Sequence, residues 1–99
     1  MDIAIDTRRI PPRIGLHRTA TRLLRRHLRG IHELISHGSL AVVPQRRHDG
    51  RIWSRCILRL QLHDGKRLVV TGDDRPVVPA MRHAARRAAK AVAPPLHAA

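Results

Sequence analysis

Apolar and polar residues alternate at the start of the chain and again in its middle. In MDIAID, Met1, Ile3 and Ile5 fall on one face, which predicts a short, half-buried β-strand. Residues 51–63 alternate over a longer stretch, with basic or polar side chains at most odd positions. This pattern predicts a long strand with one core face and one basic face. Its core-facing positions are Ile52, Ser54, Cys56, Leu58, Leu60 and Leu62.

Between these two strands the apolar period changes to that of an α-helix, from about Arg13 to Arg29. Pro11 and Pro12 interrupt the first strand and suit the first turn of this helix, and Gly30 marks its end. The sequence therefore predicts one amphipathic helix with an apolar and a basic face. Its apolar stripe consists of Leu16, Ala20, Leu23, Leu24, His27 and Ile31.

Shorter segments complete the pattern. SLAVVPQ predicts a second strand, ended or edged by Pro44, and HDGK predicts an Asp-Gly hairpin turn before a fourth strand, RLVVTG. GDDRP predicts a helix start, with Asp73 or Asp74 as a capping residue and a proline in the first turn. We expect this helix to run to about Val92. Its inward positions are Val78, Met81, Ala85, Ala88 and Val92.

The predicted order is β-α-β-β-β-α, an α+β fold. Each helix has a single apolar stripe, so both should cover the same face of one four-stranded sheet. With 99 residues and 42% hydrophobic composition, the chain should form a single globular domain. We expect residues 1–93 to form that domain and residues 94–99 to be a flexible tail.

The charge balance points to a polyanionic partner. The chain has eighteen arginines and two lysines but only seven acids, which gives a net charge of +13. Such a field favours nucleic acid first and an anionic membrane surface second. The excess of arginine suits bidentate phosphate contacts, although genomic base composition explains it equally well. No run of about 18 apolar residues could span a membrane.

Both predicted helices carry cations opposite the apolar stripe, whereas a solvated face normally mixes charge signs. Like charges four residues apart repel, and bound phosphates would relieve that repulsion. The chain has no Phe or Tyr and only Trp53, so contact with the backbone and shape of structured RNA is favoured over base stacking. The candidate RNA-binding residues are Arg18, Arg22, Arg25, Arg26, Arg29, Arg82, Arg86, Arg87 and Lys90.

No motif in the sequence predicts catalysis, a metal site or a cofactor. The eight histidines lack metal-site spacing, and His27, in the apolar stripe, is interpreted as a core residue. Cys56 faces inward and is interpreted as a buried structural thiol. His83 and Asp64 could form an acid–base pair only if the fold brought them together. The basic segment 7–30 is similar to a mitochondrial presequence, but it follows a strand-like opening and is expected to belong to the fold.

The chain resembles the short ribosome hibernation promoting factors and ribosome-associated inhibitors. The resemblance covers residues 1 to about 93 and rests on MDIAID, the amphipathic helix, the segment LRLQLHDGKRLVVTGDD and the basic last helix. The family usually shows Asp followed by Met-Tyr-Ala-Ala-Ile-Asp, where this chain has DDRPVVPAM, without the tyrosine and with two prolines. The loop GIHELISHGS looks longer than the family norm. The family's basic cluster falls on Arg86, Arg87 and Lys90.

The resemblance implies a non-enzymatic translation silencer. Members of the family bind the small ribosomal subunit between head and body, near the decoding centre. The chain would thus be a cytoplasmic, monomeric short-type factor with no membrane partner, contacting small-subunit rRNA in stationary phase or stress. It would act alone or beside a separate ribosome-dimerising factor.

Three other functions remain open from the sequence. A double-stranded-RNA-binding domain has the order α-β-β-β-α, which is nested in this one, but the leading strand and the lack of a lysine-rich start to the last helix argue against it. A small histidine-dependent nuclease has no supporting motif. A structural ribosomal protein or a membrane-surface protein would share the same charge.

Overall fold

The computed structural model describes residues 2–92, and its elements follow the predicted order. Met1 and the predicted tail, residues 94–99, lie outside the described residues. A 3₁₀ turn, His32–Leu34, precedes the second strand. The elements are β1 (Asp2–Asp6), α1 (Leu16–His27), β2 (Ile35–Arg46), β3 (Ile52–Leu62), β4 (Arg67–Asp74) and α2 (Val77–Val92).

The four strands form one sheet in the order β1-β2-β3-β4. The β1 strand runs parallel to β2, because α1 carries the chain back across the sheet between them, and the other two pairs are antiparallel. At the HDGK hairpin, Gly65 has φ 91° and its amide donates to the Leu62 carbonyl (3.0 Å). The predicted α+β fold and the Asp-Gly turn are both confirmed.

The core lies between the sheet and the two helices, which cover the same face as predicted. Leucines of α1 and small residues of α2 bury their side chains against β2 and β3. Each fully buried Leu or Met contributes about 1.5–3 kcal/mol relative to exposure. The alternation predicted for β3 holds at Cys56, Leu58 and Leu60, whereas Ile52, at the end of the strand, is 60% exposed.

Helix α2 packs unusually close to β4, and Gly72 permits it. A Cβ atom at this position would overlap the carbonyl oxygen of Ala80 and the amide nitrogen of Ala84. Ala80 and Ala84 are themselves fully buried. The alanines of α2 thus allow the helix backbone to approach the sheet, which explains why this helix needs so few large apolar residues.

The bounds of α1 and β2 differ from the sequence prediction. Helix α1 begins at Leu16 rather than near Arg13, because Gly15 takes a left-handed conformation (φ 78°) just before it. It ends at His27, before Gly30, so Arg29 lies in the following turn. Strand β2 begins at Ile35 and contains Pro44, which pairs with Ser54. Because β1 pairs only as far as Ala41, Pro44 lies where β2 has one open edge and tolerates a missing N–H.

The prediction that Asp73 or Asp74 caps the last helix is wrong. Both residues belong to β4, and α2 begins three residues after Asp74, at Val77. Pro76 directly precedes the helix, and its carbonyl accepts from the Ala80 amide (3.4 Å). Pro79 lies in the first turn, where an amide would have no intrahelical partner. Asp73 instead pairs with arginines on one face of the sheet, and Asp74 contacts His83 on the other.

Candidate nucleic-acid interface

The nine candidate RNA-binding cations lie on the helix side of the domain, and we call them the helical basic face. Eight are exposed and Arg82 is half-buried. No acid occurs within either helix. The described residues form five ion pairs between an arginine or lysine and an aspartate, together with a contact between His83 and Asp74, and none of these includes a residue of this face. The helical basic face consists of Arg18, Arg22, Arg25, Arg26, Arg29, Arg82, Arg86, Arg87 and Lys90.

The basic side of α1 forms a shallow depression along the helix axis. It includes all five candidate arginines of this segment together with His17 and Thr21. The imidazole Nε2 of His17 lies 3.1 Å from Oγ1 of Thr7, which ties the loop before α1 to the helix. His17 is not among the candidates named from the sequence, although its position four residues before Thr21 and eight before Arg25 puts it on the same face. The depression is open and lined by cations, a shape and charge suited to a phosphate backbone.

The basic side of α2 has a second depression, formed by Arg86, Arg87 and Lys90 together with His83 and Asp73. Arg87 is fixed in place, because its Nη1 donates to the backbone carbonyl of Thr71 (2.9 Å). Since Arg87 also has this structural contact, it is a less clean target for mutation than Arg86 and Lys90.

The basic sides of the two helices meet at His27. This half-buried residue lies near the end of α1, and the pKa of its imidazole is lowered, first by burial and then by the cations Arg86, Arg26 and Arg82. The neutral form of the ring is therefore favoured where the two rows of cations converge. The interpretation of His27 as a core residue is not confirmed, because the ring is only half-buried at the edge of the apolar stripe. Its ring makes no hydrogen bond within the described part of the chain.

We call the opposite face of the sheet the open sheet face. At its end near the β2–β3 turn, the arginines are paired with an acid. Arg55 donates to both oxygens of Asp73 (2.9 and 3.0 Å), and Arg47 reaches the same carboxylate (3.3 Å). Hydrogen bonding from Arg55 lowers the pKa of Asp73, and the nearby charges act in the same direction. Arg47 also lies 4.2 Å from the ring centroid of half-buried Trp53, so the two side chains form a cation–π contact.

The residues considered for catalysis from the sequence do not come together within the described part of the chain. Within residues 2–92, no group of three potential ligands is placed to hold a metal ion. Burial raises the pKa of the Cys56 thiol to about 12, which removes its nucleophilic form at neutral pH. His83 does not meet Asp64, because its Nε2 lies 3.0 Å from Oδ2 of Asp74. None of the described helices is long and apolar enough to cross a membrane.

Comparisons with known proteins identify the fold. No protein-family model and no curated protein sequence matches the chain. The structure is similar to that of a ribosomal subunit interface protein from Coxiella burnetii, with TM-score 0.77, 10% identity and 93% coverage of each chain. It is also similar to the N-terminal domain of Protein Y from Thermus thermophilus, with TM-score 0.64, 19% identity, and coverage of 93% and 96%. The fold implied by the sequence resemblance is therefore confirmed over nearly the whole chain.

Proposed function

We propose that this protein is a ribosome-binding, non-enzymatic silencer of translation of the hibernation-factor family. The observation that carries the proposal is the helical basic face, whose nine cations have no acidic partner among the described residues. The fold supports it, because a protein named for the ribosomal subunit interface shares this fold over 93% of both chains.

The partner we propose is the small ribosomal subunit, contacted at its rRNA near the decoding centre. Arginine and lysine contacts to phosphates fix the position of a protein on RNA without reading its sequence. A domain that fills the place of mRNA and tRNA needs no catalytic group. It needs shape, rigidity and charge, and the packed helices supply rigid supports for the cations. We propose that it acts in the cytoplasm as a monomer, alone or beside a separate ribosome-dimerising factor.

The electrostatic part of this proposal is quantitative. If about six to ten phosphates are neutralised, affinity should fall by about 10³ to 10⁵ between 50 and 200 mM salt. Phosphates would also relieve the repulsion between cations such as Arg86 and Lys90, which lie four residues apart on α2. Binding should therefore raise the thermal stability of the domain.

Three double variants with the same loss of two charges test the helical basic face. Arg22→Gln with Arg25→Gln changes α1, and Arg86→Gln with Lys90→Gln changes α2. Arg46→Gln with Arg51→Gln is the matched control, because both residues are exposed near the β2–β3 turn, outside the helices. The readout is cosedimentation with purified small subunits, large subunits and whole ribosomes on sucrose gradients over a range of salt, together with inhibition of translation in vitro.

Both helix variants should bind small subunits more weakly than the control, with a salt slope lower by about one unit for each lost phosphate contact. Their melting temperatures should match or slightly exceed that of the unmodified protein. Equal binding by all three variants would reject the helical basic face as the contact surface. Inhibition that persists without ribosome binding would reject the hibernation-factor function itself.

A further inference from the structure

The open sheet face has a second end, near the β3–β4 turn, where the arginines have no acidic partner. A shallow depression lies there, and no acid is among its lining residues. Arg59 and Arg67 take part in none of the ion pairs formed by the described residues. We call this site the sheet-end depression. Its polar and exposed members are His37, Ser39, Arg59, Gln61, Arg67 and Val69.

We propose that the sheet-end depression is a second anion-binding site, which takes the phosphodiester backbone of an RNA segment other than the one on the helices. The inference rests on the proposed function only in taking RNA as the polyanion. Because the helices cover one face of the sheet and the depression lies on the other, one RNA helix cannot occupy both surfaces along a single straight path. The protein would then hold two RNA segments at once.

Strand register brings the polar groups of the depression together. His37, Gln61 and Arg67 form one row across β2, β3 and β4, and Ser39, Arg59 and Val69 form the next. Rows two residues apart on the same face are separated by about 6.6–6.8 Å along the strand. Two guanidinium groups, a hydroxyl and an imidazole therefore share a patch of open sheet of roughly 10 by 7 Å.

Hydrogen bonds within the sheet hold one of these cations in position. The Nε of Arg67 donates to Oε1 of Gln61 (2.9 Å), and Nε2 of Gln61 donates to the Gly65 carbonyl (3.2 Å). This chain of contacts leaves the terminal nitrogens of Arg67 available for an anion. Nδ1 of His37 lies 3.1 Å from Oγ of Ser36, so its other ring nitrogen can face a ligand.

Charge complementarity favours a phosphate backbone as the occupant. The acid nearest in register is Asp2, which pairs with His37 but lines a different depression, beside Thr21 and Arg25 of α1. The site offers no Phe, Tyr or Trp ring on which a base could stack, and its one imidazole, that of His37, contacts Ser36. Val69 is 58% exposed at its edge and can contact a ribose. These groups suit phosphate and sugar contacts without sequence reading.

A bridging experiment tests the site directly. Two RNA duplexes of about 16 base pairs, one with a donor dye and one with an acceptor, are mixed with a limiting amount of protein. Energy transfer reports two duplexes on one protein, and anisotropy at low RNA concentration reports binding of a single duplex. The test variant is Arg59→Gln with Arg67→Gln, and the control of equal charge is Arg46→Gln with Arg51→Gln.

The unmodified protein and the control should both produce energy transfer. The test variant should lose it while still binding one duplex through the helical basic face, with the melting temperature unchanged because both residues are exposed. Energy transfer equal to that of the control would overturn the inference and leave the proposed function standing. Failure of the unmodified protein to bind any RNA would overturn both.

Discussion

The helical basic face and the β2–β3 end of the open sheet face use the same residue type for opposite purposes. On α1, arginines such as Arg22 and Arg26 are exposed, and no acid lines the depression that they form. On the sheet, Arg47 and Arg55 share the carboxylate of Asp73, and Arg47 also covers the ring of Trp53. The first set is available for a ligand, whereas the second set is already bound within the protein.

This difference teaches that the position of the few acids, rather than the number of arginines, determines where a basic protein can bind a polyanion. The chain has seven acids, and neither helix contains one. Asp73 neutralises one end of the open sheet face. Arg59, two rows along the same face, has no such partner in the structure. Net charge alone would treat all of these arginines as equivalent.

The largest expected effect separates the two faces of β3. Leu60 lies on the helix side of the sheet and is only 3% exposed to solvent, whereas its neighbour Arg59 is exposed on the open sheet face. Leu60→Asp should unfold the domain, because it buries an unpaired charge at a cost of several kcal/mol. Arg59→Asp should remain folded, with a cooperative thermal transition close to that of the unmodified protein. Similar melting temperatures for the two variants would mean that the two faces are not distinct.

A smaller effect tests how tightly the helical layer is fixed to the sheet. Gly72→Ala places a Cβ against the backbone of Ala80 and Ala84, and the helix must shift to accommodate it. Overpacking of this kind costs about 1–3 kcal/mol, measurable by urea unfolding. Gly30→Ala is the matched control, because its added Cβ meets nothing within 4 Å. A loss at Gly72 no greater than at Gly30 would contradict the close approach.

The smallest expected effect comes from removing the acid that pairs with Arg47 and Arg55. Asp73→Asn removes the carboxylate shared by Arg47 and Arg55, and it should lower the melting temperature by no more than about 5 °C, because the pair is partly exposed. It should also increase RNA affinity at low salt, since two cations lose their internal partner. Unchanged RNA affinity would show that these arginines remain unavailable for a reason other than Asp73.

The same variant has a pH signature. The folded-state pKa of Asp73 is lowered, so its contribution to stability is complete above the unfolded value of about 3.9 and is lost as pH falls through the folded value. Melting temperatures of the unmodified protein and Asp73→Asn should therefore differ at neutral pH and converge in acid. A difference that stays constant with pH would assign the effect to packing instead of charge.

Much of the fold could be predicted because local patterns agree with the final packing. Alternation at Cys56, Leu58 and Leu60 identified the buried side of β3, and the Asp-Gly turn fixed the β3–β4 pairing. The basic residues of both helices were found from helical periodicity alone. These patterns suffice because burial of an apolar stripe is the dominant local requirement of each element.

The errors came from competing local signals. Asp73, Asp74 and the following prolines form a typical helix start, but the strand continues through both aspartates because Arg55 and His83 bind them from the sheet and the helix. That outcome depends on tertiary contacts. The contact between Arg55 and Asp73 could have been predicted from the sequence, since the register set by the HDGK turn places these two residues opposite each other. The sheet-end depression required the same register and a third strand, and sequence periodicity does not supply these.

The pairing of β1 has a consequence for the order in which the molecule assembles and opens. Strands β2, β3 and β4 are joined by hairpins, so they can close early with little loss of chain entropy. Strand β1 pairs with β2 between residues 35 positions apart, such as Asp2 and His37, and it has only that one neighbour. We therefore expect β1 to dock late in folding and to be the first segment to detach from the native state, which amide hydrogen exchange would test by faster exchange at its β2 partners than at the β3–β4 pairs.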